Sequence, residues 1–203
     1  MTLILIIFIS LISIAGFSNR EIIDKLMHYP YLEFKNKEWF RLVSGGFVHA
    51  DWAHLLINMF VLYSFGDTIE KIYQINLNSA FSNLAYILLF LFCIVVGNLP
   101  SYFKNKLNPY YSGVGASGAT SGLVFVFILF NPFQKIYVFF FPMPGIVFAI
   151  LYLIYSNYAA RQQKDNIGHD AHIAGAIAGL VYTIILIPES LQMFLQEIRY
   201  LLH

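Results

Sequence analysis

Six apolar runs, three of them closed by proline or by an Asn-Pro pair, divide this chain and leave it few possible folds. The third, "AFSNLAYILLFLFCIVVGNLP", ends at Pro100 and carries the ~20 residues that a helix needs to cross a ~30 Å hydrocarbon core. The others cover about 2–17, 51–65, 115–130, 144–158 and 169–187. In lipid, backbone polar groups must be satisfied within the protein, so spanning runs of this kind are helices. Proline marks their expected ends because it cannot continue a helix without losing a backbone bond. Composition agrees: 59% of residues are hydrophobic and 11% charged, where a soluble domain carries roughly 25% charged residues. The expected fold class is an all-α polytopic membrane protein, one domain over residues 1–203. The closing "ESLQMFLQEIRYLLH" (189–203) reads as an amphipathic tail on the membrane surface.

Other classes fall away quickly. Net charge is +1 and no basic cluster stands out, which argues against a nucleic-acid partner. The lone cysteine, Cys93, lies inside an apolar run and is expected to fill space. The first run, "LILIIFISLISIAGF", lacks a basic leader and a small-x-small cleavage site, so it is expected to be a retained first span. Between Ser18 and Gly46 lies a long connection rich in rings (Tyr29, Tyr31, Phe34, Trp39, Phe40) interleaved with Lys35, Lys37 and Arg41. That mixture suits the headgroup layer.

The stretch "GVGASGATSGLVFVFILFNP" (113–132) is harder to explain as a plain span, because its entrance is polar and dense in glycine. Polar groups within spans are costly and mark function by default. Four stand out: His54 and Asn58 in the second span, Ser117 at the head of the fourth and His172 at the head of the sixth. All three spans are even-numbered and so run in one direction. At 1.5 Å per residue, Ser117 lies roughly 20 Å from Asn131, His172 roughly 23 Å from the last residue before Pro188, and His54 roughly 18 Å from Gly66. The three therefore share one depth below one membrane face. Gly118 and Gly122, and likewise Gly175 and Gly179, are spaced four apart, as helices in close backbone contact require.

Close contact between the fourth and sixth spans would bring the Ser117 hydroxyl to the His172 imidazole. A serine needs a base to become a nucleophile, and imidazole suits that task near neutral pH. Backbone N–H groups at the helix start, with side-chain donors from His54 and Asn58 at i and i+4, would receive the developing oxyanion. Asp170 is two residues from His172 and faces elsewhere, so the arrangement is a dyad rather than a triad. Other chemistries lack their residues: no HExxH-like pair for an intramembrane metalloprotease and no paired carboxylates in spans for an aspartyl one. A small transporter with a histidine proton relay would leave the GASG entrance without purpose.

At these residues the chain resembles the rhomboid family of intramembrane serine proteases, over nearly its whole length. "GASG" (115–118) matches the family's GxSG motif, with Gly115 and Gly118 flanking Ser117 as the implied nucleophile. "AHIAGAIAG" (171–179) matches AHxxGxxxG, with His172 as the implied base and Gly175 and Gly179 in support. "HADWAHLLINM" (49–59) matches HxxxxHxxxN, with His54 and Asn58 implied for the oxyanion and His49 as a structural residue. Trp39-Phe40-Arg41 matches the aromatic-plus-arginine element of the first loop.

The resemblance implies a six-helix bundle around a water-filled cavity open to the extracytoplasmic side. It also implies transmembrane protein substrates cut near their helix-breaking ends, a lipid-bilayer setting in a plasma or bacterial inner membrane, and no metal or organic cofactor. A catalytically weak or inactive relative that only binds membrane helices is the alternative.

One departure is Ser121, which stands where many members carry an aromatic ring against the catalytic imidazole. Lowered rather than abolished activity is the expectation, unless another ring takes over or Ser121 itself bonds the imidazole. Orientation is a second conflict: the first, third and fifth loops hold five, two and two Lys or Arg, against three on the opposite side. The positive-inside rule would make those odd loops cytoplasmic, whereas the resemblance puts both termini there. "FFFPMPGIVFAILYLIY" (139–155) reads as a broken entrance to the fifth span, where Phe148 and Tyr152 are expected to act as a substrate gate.

Overall fold

The computed structural model describes residues 1–138, 140–162 and 168–202. Helix α1 (Thr2–Ser18) is followed by three short helices, α2 (Arg20–Leu26), α3 (Pro30–Lys35) and α4 (Arg41–Ser44), and a 3-10 turn at Gly45–Phe47. Two long helices come next, α5 (Trp52–Asn76) and α6 (Ser79–Asn105), then α7 (Ser117–Phe130). A two-stranded antiparallel hairpin, β1 (Lys135–Val138) with β2 (Phe141–Pro144), leads into α8 (Gly145–Gln162), α9 (His169–Leu186) and α10 (Glu189–Leu202).

Local signals account for the starts of the long helices. The Asp51 side chain accepts from the His54 N–H and caps α5, and Asn78 accepts from the Phe81 N–H and caps α6. Two of the expected stops do not stop a helix. Helix α5 runs through Gly66-Asp67 to Asn76, because a lone interior glycine costs only ~1 kcal/mol and Gly66 lies directly against Thr2 and Tyr86. Helix α6 runs through Pro100 to Asn105; it gives up one backbone rung, while Ser101 Oγ donates to the Asn98 carbonyl and Asn105 Nδ2 to the Ser101 carbonyl.

Helix α7 is the axis of the bundle. Every residue from Gly118 to Leu129 is buried, enclosed by α5, α6 and α9. Helix α8 is the opposite case: only Gly145 and Ser156 are buried, and it leans on α9 and the rim of α7. The outside of the bundle is apolar, with Leu3, Ile7 and Leu11 on α1, Ile57 and Phe60 on α5, and Ile154 on α8 all exposed. Soluble monomers rarely show apolar patches of more than a few hundred Å². Two helices, Phe81–Asn105 and His169–Leu186, are long and apolar enough to cross a membrane, and α1 and α7 are shorter apolar helices.

The connection from Ser18 to Gly46, expected as a ring-rich loop, is ordered by its polar core. His28 is buried between Glu33 (Nδ1 to Oε1, 2.6 Å) and Ser101 (Nε2 to Oγ, 2.7 Å), which ties α3 to α6. Arg41, also buried, donates from Nε to Glu38 and from Nη1 to the Asp24 and Met27 carbonyls. Hydrogen bonds from Asn36 and Arg41 hold the Glu38 carboxyl below its ordinary pKa. Trp39 and Phe40 remain exposed at the edge, Trp39 tilted against Tyr102.

The proline-rich stretch before α8 is a hairpin strand rather than a broken helix, with Tyr137 paired to Pro142 and Lys135 to Pro144. Two prolines spaced by two put both donor-less nitrogens on the same, outer edge of β2, where none is missed. Phe139 lies outside the described residues, as does His203 at the end of the tail; α10 ends at Leu202.

Candidate active site

The site is assembled where α7 and α9 touch backbone to backbone. A β-carbon placed on Gly175 would fall 2.7 Å from the Gly118 carbonyl carbon and 2.8 Å from its Cα. One on Gly179 would fall 2.7 Å from the Gly122 carbonyl oxygen. At the top of the same seam, Gly118 faces the Ala171 carbonyl and the Gly97 Cα of α6. Ser117 and His172 are the immediate chain neighbours of Gly118 and Ala171, so the first turns of α7 and α9 lie side by side. Both residues are half-buried.

Helix α5 reaches this point through its own first turn. Gly115 has φ +117°, a backbone conformation that favours glycine, and a β-carbon there would lie 2.5 Å from His54 Cε1 and 2.6 Å from Nε2. The chain before Ser117 therefore runs directly over the His54 imidazole. The "GASG" pattern has two separate physical demands: a left-handed turn over a ring at Gly115 and a helix seam at Gly118. Asn58, one turn after His54, is buried; its amide donates to the His54 carbonyl (2.9 Å) and accepts from Thr120 Oγ1 (3.1 Å), which also donates to the Ser117 carbonyl (3.2 Å).

His49 braces the same loop from below. Its Nε2 accepts from the Ala116 N–H (3.3 Å), so Nδ1 carries the proton and donates to Ser13 Oγ (2.9 Å), which donates to the Phe47 carbonyl (3.1 Å). The ring is fully buried and meets His54 edge-on at 5.0 Å. Burial, with the His54 charge adding and Asp51 opposing, lowers the His49 pKa to about 3.

Two aromatic rings among the described residues adjoin His172. Tyr152 of α8 lies nearly parallel to it (centroids 6.2 Å, planes at 22°), and His169 meets it edge-on at 5.8 Å. Ser121, one turn after Ser117, bonds Tyr152 Oη with its Oγ at 2.6 Å. Phe148 stacks on Tyr152 at 5.5 Å. Asp170 points to Lys104 across a partly exposed 3.8 Å ion pair. Arg41, on the first connection, acts on that connection's fold as described above.

Ser13, Thr120 and His169 were not singled out in the sequence. Thr120 and His169 each lie three residues from a nominated residue and so share its helical face, a signal that was there to find. Ser13 sits in an unbroken apolar run, and nothing local points to His49. Among the described residues no group of three or more His, Cys, Asp or Glu side chains is arranged to hold a metal ion.

The chain is similar to several known proteins. Residues 36–189 match the family model described as the Rhomboid domain. Over 163 residues the chain is 29% identical to the rhomboid protease GlpG of Haemophilus influenzae, covering 79% of this chain and 76% of that protein. It is 29% identical over 164 residues to the chloroplastic Rhomboid-like protein 11 of Arabidopsis thaliana, covering 74% of this chain but only 54% of the relative, so it spans about half of that protein. The putative rhomboid protease YdcA of Bacillus subtilis is 24% identical over 155 residues, covering 76% of this chain and 71% of the relative. A domain match over most of the chain, on a helical bundle whose glycine seams join the three motif-bearing helices, places this protein in the rhomboid family of membrane proteins.

Proposed function

We propose that this protein is an intramembrane serine endopeptidase that cuts transmembrane segments of other proteins with Ser117 and His172. The observation that supports it best is the Gly118–Gly175 seam, which sets the first turns of α7 and α9 in backbone contact with His54 beneath Gly115. The His172 imidazole takes the Ser117 hydroxyl proton as Oγ bonds the scissile carbonyl carbon. The resulting oxyanion is received by the N–H groups at the start of α7, the His54 ring and the Asn58 amide. The C–N bond then breaks, the imidazolium returns its proton to the leaving amine, and an acyl-serine ester remains. Water attacks that ester, His172 again taking the proton, and Ser117 is released with a new carboxyl terminus on the substrate.

Six helices (α1, α5, α6, α7, α8 and α9) cross the bilayer, with α10 on its surface. The site opens to the extracytoplasmic face of a plasma or bacterial inner membrane, with both termini cytoplasmic. Phe148 and Tyr152 on the loosely held α8 flank the path by which a substrate helix arrives.

The test is labelling by a fluorophosphonate probe and cleavage of single-span reporters in liposomes. Both are expected for the wild-type protein and lost in Ser117→Ala and His172→Ala. Reporter capture without labelling or cleavage would instead support a helix-binding, inactive relative. A carboxyl-terminal tag reached only from outside the cell would overturn the orientation.

A further inference from the structure

Tyr152 occupies a position that a gate alone does not explain. Its hydroxyl is bound at 2.6 Å to Ser121, which is itself buried on α7 one turn from Ser117. Its ring lies nearly parallel to the His172 imidazole on α9. Phe148 stacks against it from its own helix, and Phe125 of α7 meets it at 5.7 Å. A tyrosine has two side-chain torsions, and here one end is fixed by a hydrogen bond and the body by two rings. Three helices therefore meet through this one side chain, α7 at its tip, α8 at its root and α9 at its face.

We propose that Tyr152 is a positioning residue for His172: the Ser121 hydroxyl fixes the tyrosine, and the fixed ring orients the imidazole for proton exchange with Ser117. The inference rests on the proteolytic role proposed for Ser117 and His172. It gives Ser121 a definite task, because a small hydroxyl at that position both leaves room for the tyrosine and holds it. It also ties the reactive geometry to the position of α8. This helix buries only two residues, so an outward shift of α8 that admits a substrate withdraws the ring from His172.

Gating and positioning predict opposite signs. If Tyr152 only obstructs access, Tyr152→Leu raises the cleavage rate; if it positions His172, the variant lowers kcat and leaves KM for a single-span reporter near its wild-type value. Tyr152→Phe and Ser121→Ala each remove one hydrogen bond, worth about 3- to 10-fold in kcat. Because both remove the same bond, the double variant should be no slower than the slower single one. Placing a ring on α7 by Ser121→Phe in the Tyr152→Leu background should restore much of the lost kcat.

Independently of turnover, NMR of the histidine ring protons in lipid nanodiscs reads the contact directly. Tyr152→Leu should remove a ring-current shift from the His172 signals, and Tyr152→Phe should retain most of it. An unchanged or higher kcat in Tyr152→Leu, additive losses in the double variant, or unmoved His172 signals would each overturn the proposal. A wild-type protein that neither cleaves nor takes the probe would refute the proteolytic role instead, while the NMR shift would still decide whether Tyr152 holds the imidazole.

Discussion

Replacing Gly175 by alanine tests the seam on which the site is built. The added methyl would lie 2.7 Å from the Gly118 carbonyl carbon and 2.8 Å from its Cα, where ordinary contact begins near 3.4 Å. The obstacle is backbone on a fully enclosed helix, so no side chain can swing away, and α7 and α9 must part by roughly 0.7 Å or more. Overpacking of this kind costs about 1–3 kcal/mol, and a backbone obstacle puts Gly175→Ala near the upper end. For a chain of this length that is a fall of about 6–12 °C in Tm. The chemical effect should be larger than the thermal one. Misplacing reacting groups by 1 Å costs about 100-fold; Ser117 adjoins Gly118, and His172 lies one turn before Gly175, so parting these two glycines moves both reacting groups. The assay is thermal unfolding in detergent micelles beside the rate of fluorophosphonate labelling at Ser117, with Gly168→Ala as control because, among the described residues, a methyl there meets nothing closer than 3.5 Å. Gly175→Ala with wild-type Tm and labelling rate would refute the close seam and the site geometry that depends on it.

Gly115→Ala meets both a φ of +117° and the His54 ring, so it should slow labelling of Ser117 more than it lowers Tm; unchanged labelling would mean that the loop does not rest on His54. His54→Ala and Asn58→Ala should each lower kcat by about 100- to 1000-fold without preventing folding, as loss of an oxyanion donor does, and reporter kinetics in liposomes provide the check. Acid should destabilise the protein through His49. Its folded pKa, about 3, lies below the ordinary 6.5, so the unfolded chain binds the extra proton. Stability is then fully present above pH 6.5 and declines toward pH 3 by up to ~1.4 kcal/mol per pH unit. Tm measured against pH should show this slope in the wild type and a flatter one in His49→Asn, and equal slopes would remove His49 as the cause.

Much of this protein is legible along the chain because its instructions are short-range. Apolar run length indicates membrane helices, and the glycine spacings of α7 and α9 mark the seam that joins them. Each of these is set within a single helix. Helix ends were less legible: Gly66 and Pro100 carry the local signature of a stop, yet α5 and α6 run past both, since an interior break costs little when neighbouring helices hold both halves.

What only the tertiary structure decided are contacts between residues far apart in the chain. Ser13 meets His49 across 36 positions, and Ser121 meets Tyr152 across 31. The ring beside His172 comes from α8, although the family pattern places one at position 121, because packing supplies a ring to a space and not to a sequence position. A span's periodicity states which face is apolar, but not which neighbour will fill that face. That choice is made by the shapes of all the helices at once, and so it became readable only when they were seen together.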